Sequence, residues 1–202
     1  MNLAVTIPQL FYDIIARVLP GFLLLFVLDL GLRGTEFAIN KAWSVQSDSS
    51  MAVLFGGFGY LAVCYFCGWL LGACRWPDIE GRIQRRHEPS DAPSLSTMYQ
   101  HVRLQHAASG FRLAKLRAEA RMLGAARIGL WLAAAAIAVV WALAISGVIQ
   151  ATPIGAAVWA LRCALPLAAS LAFLGAEPSA WHLYYGNIKS LYHLVIVEHY
   201  PK

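Results

Sequence analysis

Residues 128–150 read IGLWLAAAAIAVVWALAISGVIQ and contain no Asp, Glu, Lys or Arg. The hydrocarbon core of a bilayer is about 30 Å thick, and a helix rises about 1.5 Å per residue, so about 20 apolar residues are needed to cross it. This stretch meets that requirement, and so does the uncharged stretch 51–74. The two stretches predict an integral membrane protein.

The composition indicates the same class. Of the 202 residues, 59% are hydrophobic and 13% are charged, whereas soluble domains carry roughly 25% charged residues. The mean hydropathy is +0.57. These values exclude a disordered chain, a collagen and a coiled-coil rod, and four cysteines are too few for a disulfide scaffold.

Two further spans complete a predicted all-α bundle of four transmembrane helices. Residues 153–176 are apolar apart from Arg162, and residues 11–32 carry charges near both ends, among them Asp29. A signal peptide is the alternative for the first of these helices. Such a peptide starts with basic residues, and residues 1–10 contain none, so we expect a retained anchor.

The basic residues predict the orientation. Ten Lys and Arg and five Asp and Glu lie between Arg75 and Arg127, a surplus equal to the whole net charge of +5. Because basic segments stay on the cytoplasmic side, this segment is predicted to be cytoplasmic, together with both termini. The short connections 33–50 and 147–154 then face outward. The predicted location is the inner membrane of a bacterium.

We therefore expect four regions along the chain. Residues 1–76 hold the first pair of spans and residues 127–176 the second pair, with a basic cytoplasmic helical segment over 77–126 between them. The tail, 177–202, has apolar residues at helical spacing and aromatic residues suited to headgroup depth, which indicates an interfacial helix. The stretch 192–200 is equally compatible with a strand.

Within the cytoplasmic segment, residues 77–96 are rich in Pro and Ser and predict a loop. A helix over 97–108 should follow, capped by Ser94 or Ser96 and broken by Ser109-Gly110.

The residues after this break have high helix propensity. They predict one rod over 111–146, on the order of 50 Å long, that enters the third span. Such a rod either packs on its own chain or transmits motion into the bilayer. Small and apolar residues at spacings of three and four form a seam along it: Leu113, Leu116, Ala120 and Leu123.

Arg162 is the most informative single residue. It lies about ten residues into its span, roughly 15 Å deep, where a charge costs at least about 2.5–3.5 kcal/mol. Such a residue has a partner or faces a cavity, and Asp29 is the candidate partner. The pair either fixes the register of the helices or provides a pore-lining or sensing charge.

Gly68 and Gly72 form a GxxxG motif in the second span. Small residues let transmembrane helices approach closely, so the motif predicts tight helix packing. The contact lies either within the chain or between chains of a homo-oligomer.

The cytoplasmic basic surface is the candidate contact surface for partners. Anionic lipid headgroups and a cytoplasmic protein are the expected partners, while direct nucleic-acid binding is disfavoured because acidic residues dilute the charge and no recognisable module occurs. The residues of this basic surface are Arg82, Arg85, Arg86, Arg103, Arg112, Lys115, Arg117 and Arg121.

Motifs for catalysis or cofactors are missing from the sequence. Cys64 and Cys67 form a CxxC, but they lie in an apolar helix without nearby His or acidic residues, so packing is the expected role. No HExxH, P-loop or GxGxxG pattern occurs. We expect no catalytic residues, no metal and no cofactor.

Two stretches, YDIIARVLPGFLLL (12–25) and FRLAKLRAEARM (111–122), resemble small four-span membrane proteins encoded with bacterial antiviral systems. These include membrane accessory proteins of RNA-targeting CRISPR loci and the membrane subunit of Kiwa-type systems. The resemblance implies an oligomeric membrane protein that senses infection or damages the membrane, with a cytoplasmic partner.

The sequence thus favours a non-enzymatic, homo-oligomeric membrane sensor or effector that couples a cytoplasmic signal to the membrane or to a pore. A small solute transporter or channel subunit is the first alternative, which the scarcity of polar residues in the spans disfavours. A membrane-embedded enzyme that uses histidines of the tail or loop is the second.

Overall fold

A computed structural model describes residues 3–33, 50–74, 78–90, 93–147 and 155–199. The secondary-structure elements of these residues are all helices, which confirms the predicted all-α class. Four of the helices are long and apolar enough to cross a membrane. The helices are α1 (Leu3–Arg33), α2 (Ser50–Ala73), α3 (Ile79–His87), α4 (Leu95–Gln105), α5 (Ala107–Ile145) and α6 (Ala156–His199).

Each of the four long helices covers most of one predicted span, and α1 covers the whole of its span. The third span ends earlier than predicted because Gly147 adopts a left-handed backbone conformation with φ 75°, which stops α5. Most of the two predicted outward connections, residues 34–49 and 148–154, lies outside the described residues.

Helix α3 lies where the sequence predicted a loop. Asp78 caps it, because a carboxylate oxygen of Asp78 accepts a hydrogen bond from the Gly81 backbone N–H at 2.9 Å. Ile79 and Ile83 are one turn apart and both are buried, which anchors the helix. The prediction was wrong because no Pro or Ser of this stretch lies within α3: Pro77 precedes the helix in the sequence, and the other Pro and Ser residues follow it.

The break between α4 and α5 also differs from the prediction. Ser94 caps α4 through the Thr97 N–H, as one of the two predicted caps, but α4 ends at Gln105 and His106 is extended. Gly110 lies inside α5, where a Cβ would stand 3.2 Å from the Cα of Arg103. This glycine therefore permits a close approach of the two helices and does not break one.

Helices α5 and α6 are longer than the predicted rod and span. Helix α5 starts four residues before the predicted rod, and α6 continues unbroken through the tail to His199. The tail alternative of a strand over 192–200 is therefore wrong for the described residues up to 199.

The chain divides into two units. The membrane unit consists of residues 17–74 and 124–174, and the basic unit consists of residues 1–16, 75–123 and 175–202. Helices α1, α5 and α6 contribute residues to both units.

Glycines determine the packing of α1 on α2 in the membrane unit. A Cβ on Gly21 would overlap the carbonyl oxygen of Cys64, and a Cβ on Gly68 would overlap the carbonyl oxygen of Arg17. The two backbones therefore touch, which is the packing that small residues allow in lipid.

The other two helices join the membrane unit through a third glycine and a buried serine. A Cβ on Gly129 of α5 would lie 3.0 Å from Leu71 of α2 and 3.5 Å from Leu24 of α1. The Ser170 hydroxyl of α6 donates a hydrogen bond to the Arg127 carbonyl of α5 at 3.3 Å. These contacts make the membrane unit a four-helix bundle.

Candidate functional site

Arg162 lies at the carboxyl end of α1 inside the membrane unit. Its Nη1 donates a hydrogen bond of 3.2 Å to the carbonyl oxygen of Gly31, in the last turn of α1. The guanidinium also lies over the ring of the buried Trp159, 5.6 Å from the centroid. The last carbonyls of a helix have no partner within the helix and carry partial negative charge, so a cation is favourable there.

The structure thus gives Arg162 a backbone acceptor that the sequence did not suggest. The candidate partner, Asp29, lies two residues before Gly31 on α1 and is half-buried. Sequence reasoning did not find this contact, because a backbone carbonyl at a helix end has no sequence signature. The pairing of Arg162 with Asp29 stays a prediction.

Arg162→Leu is expected to loosen the last turn of α1 without unfolding the bundle. The substitution removes a hydrogen bond from a charged donor, worth about 1.5–3 kcal/mol, but it also removes an intramembrane charge that costs about 2.5–3.5 kcal/mol. The two effects nearly cancel globally. Hydrogen exchange of residues 29–33 should accelerate about tenfold, the equivalent of about 1.4 kcal/mol, while the melting temperature stays close to wild type. Arg162→Lys should retain slow exchange, and equal exchange in the two variants contradicts the capping role.

Gly68 and Gly72 have different surroundings. Gly68 packs against the α1 backbone, whereas a Cβ on Gly72 would meet nothing within 4 Å among the described residues. The close-packing pair on α2 is therefore Cys64 and Gly68, both facing Gly21, one turn away from the predicted GxxxG pair.

A second arginine in the membrane unit also has a partner on a neighbouring helix. The Nη1 of Arg17 donates a hydrogen bond of 2.6 Å to the hydroxyl of Tyr65, and its guanidinium lies 5.4 Å from the centroid of that ring. The contact joins α1 to α2.

The predicted basic surface is mostly solvent-exposed in the basic unit. Lys115 forms an i,i+4 ion pair with Glu119 at 3.7 Å, with both side chains about half exposed. Arg117 differs from the others because it is half-buried. The charges of Arg117 and Arg121 both act on Tyr184. The exposed basic residues are Arg82, Arg85 and Arg86 on α3, Arg103 on α4, and Arg112, Lys115 and Arg121 on α5.

The basic unit has an aromatic and aliphatic core of its own. Trp181, Tyr184 and Tyr185 of α6 are buried with ring centroids 5.0–5.9 Å apart. Apolar residues of α3, α4 and α5 pack around these rings: Ile79, Ile83, Leu95, Met98, Val102, Leu113 and Ala120. This core holds three short helical segments against α6 and so positions the exposed arginines.

Two histidines meet at the edge of this core. The Nε2 of His87 and the Nδ1 of His182 are 2.9 Å apart, and the His87 ring stacks on Tyr185. Burial, then the charge of Lys189, then that of His182 lower the pKa of His87. The two residues are 95 positions apart in the chain, so sequence reasoning did not find this pair.

The described residues contain no disulfide between cysteines and no cluster of metal ligands. Cys64, Cys67, Cys74 and Cys163 are all free thiols. No group of three or more His, Cys, Asp or Glu side chains is arranged to hold a metal ion among the described residues.

The fold combines four helices that are long and apolar enough to cross a membrane with a helical basic unit, which is the architecture of a multi-pass membrane protein. No family model, curated protein or solved structure matches the chain.

Proposed function

We propose that this protein is a non-enzymatic membrane sensor or effector of the bacterial inner membrane. In this proposal the basic unit is cytoplasmic and receives a signal, and the membrane unit responds. The observation that carries the proposal is the continuity of α5 and α6, each an unbroken helix with residues in both units. A change in the basic unit can thus reach the membrane unit through helix backbone rather than through a flexible linker.

The exposed arginines of the basic unit support anionic headgroups or an acidic cytoplasmic protein as its partner. Each Lys or Arg near an anionic membrane surface contributes about 1 kcal/mol. Arg82, Arg85 and Arg86 lie on one short helix, and all three are exposed. A role in antiviral defence and a homo-oligomeric assembly are part of the proposal through the resemblance described above.

The proposal is tested with the full chain in nanodiscs of phosphatidylglycerol or of phosphatidylcholine. We expect anionic lipid to slow hydrogen exchange in residues 79–87 and also in residues 128–145. Replacing the three arginines of α3 by glutamine should abolish both effects, because about 3 kcal/mol of attraction, or roughly 100-fold in affinity, is lost. Replacement by lysine keeps the charge and should retain both effects.

The two parts of the proposal fail separately. Hydrogen exchange that is equal in the two lipids, both in residues 79–87 and in residues 128–145, contradicts headgroup binding. Slower exchange in 79–87 alone contradicts coupling to the membrane unit. Native mass spectrometry of the same samples tests the assembly, and a monomer under all conditions contradicts a homo-oligomer.

A further inference from the structure

The contact between His87 and His182 joins two helices of the basic unit. His87 is the last residue of α3, and His182 lies on α6. Their ring nitrogens are 2.9 Å apart, with ring centroids at 5.2 Å. Tyr185, one turn further along α6, stacks on His87 at 6.0 Å and 27°. His87 is half-buried and His182 is exposed, so protons from solvent reach the pair.

The separation of 2.9 Å is that of a hydrogen bond. Two nitrogens bound to one tetrahedral Zn²⁺ at 2.0–2.1 Å would stand roughly 3.3 Å apart. A hydrogen bond between imidazoles needs one N–H donor and one lone-pair acceptor, so it forms when at least one ring is neutral. When both rings are protonated, two donors and two positive charges face each other and the contact is lost.

The surroundings of the pair disfavour double protonation. From α6, Lys189 and His182 act on His87 as cations, while Tyr185 covers one ring face. On α3 itself, Arg85 and Arg86 share the last turn with His87. Glu88, which follows His87 in the sequence, has a different partner: its Oε1 accepts a hydrogen bond from the Leu95 N–H at 3.3 Å. A cation at a helix carboxyl end gains about 0.3–1 kcal/mol, but the pKa of His87 is lowered, so burial and the neighbouring cations outweigh that gain.

We propose that His87 and His182 form a pH-sensitive latch, which holds the carboxyl end of α3 on α6 at neutral pH and releases it in acid. Folding favours the neutral form of His87, because the pKa of His87 is lowered in the folded protein. The contribution of His87 to stability is therefore complete above pH 6.5, the ordinary pKa of histidine. That contribution is lost as the pH falls from 6.5 through the lowered pKa of His87.

Release is confined to one end of α3. Ile79 at the other end of α3 and Ile83 at its middle are buried in the core of the basic unit, and neither side chain titrates. The residues freed with His87 are Arg85 and Arg86, both in the last turn. Acidification therefore changes the position of two exposed charges without unfolding the unit.

The latch is tested by double electron–electron resonance, which measures the distance between two spin labels, on the full chain in nanodiscs. Spin labels are carried by noncanonical residues at Gln84 and Leu183, which are both exposed, so that the four cysteines stay in place. We expect one narrow distance population at about pH 7.5 and a second, longer population at about pH 5. The variants His87→Gln and His182→Asn retain an amide donor that does not titrate, and they should lose the pH response.

His101→Gln is the matched control, because His101 of α4 also contacts an aromatic ring of α6, Tyr192, at 5.6 Å. This variant should respond to acid like the wild type. The proposal is overturned if the distance between the two labels does not change with pH in the wild type. It is also overturned if the His87→Gln variant shows the same change with pH as the wild type.

A measurement on the wild-type chain covers the case in which the variants fail to fold. Nitrogen-15 spectra of labelled histidine should show the His87 ring taking up its proton below pH 6.5, because its pKa is lowered by burial and by the neighbouring cations. Protonation of His87 at the ordinary histidine pKa overturns the latch.

Discussion

Gly68→Ala is expected to disrupt the packing of the membrane unit, whereas Gly72→Ala is expected to leave it intact. The two glycines are one turn apart on α2, and the same methyl group is added in each case. At Gly68 the added Cβ overlaps the carbonyl oxygen of Arg17, while at Gly72 it meets nothing within 4 Å. The obstacle at Gly68 is backbone, which cannot move aside as a flexible side chain does.

The expected cost at Gly68 follows from this difference. Overpacking a core costs about 1–3 kcal/mol when neighbouring side chains can shift, and we expect at least the upper end because α1 and α2 must separate. Thermal unfolding in mild detergent measures this loss. Gly21→Ala should behave like Gly68→Ala, since its Cβ overlaps the carbonyl oxygen of Cys64. Equal stability of the Gly68 and Gly72 variants contradicts the backbone contact.

The spans were predictable because they depend on length and polarity alone. A run such as 128–150 has no alternative environment, so the structure places it in a long helix up to Ile145. The cap of α4 at Ser94 is similarly local, because the acceptor and the donor are three residues apart. Features of this kind need no knowledge of the rest of the chain.

The candidate sites depend on contacts between distant residues. Arg162 is 131 positions from Gly31, and His87 is 95 positions from His182. Helix register decides which of several glycines meets a neighbouring backbone, and register is not visible in the sequence of one helix. The polar local sequence did not predict α3, because this helix is held by two isoleucines that enter a core shared with α4, α5 and α6.

Leu113→Ala is expected to unfold the basic unit partly or completely, whereas Leu104→Ala should have almost no effect. Both residues are leucines of this unit, but Leu113 is completely buried in its core, and Leu104 is 85% exposed. Removing a buried leucine side chain costs about 2–5 kcal/mol, through lost burial and the cavity that remains. A surface substitution away from special features stays within about 0.5 kcal/mol.

The Leu113→Ala substitution should affect hydrogen exchange mainly in the basic unit. Leu113 shares its core with Trp181 and with Ile83 of α3, so its loss should accelerate hydrogen exchange in α3 and in residues 181–188 of α6. Exchange in residues 128–145 of α5, which belong to the membrane unit, should accelerate less, because none of these residues is part of the core that contains Leu113. Tryptophan fluorescence and exchange measured on both variants in nanodiscs test this. If Leu104→Ala destabilises the chain as much as Leu113→Ala, then the core of the basic unit is not where the structure places it, and the arginines of α3 lose the support that positions them.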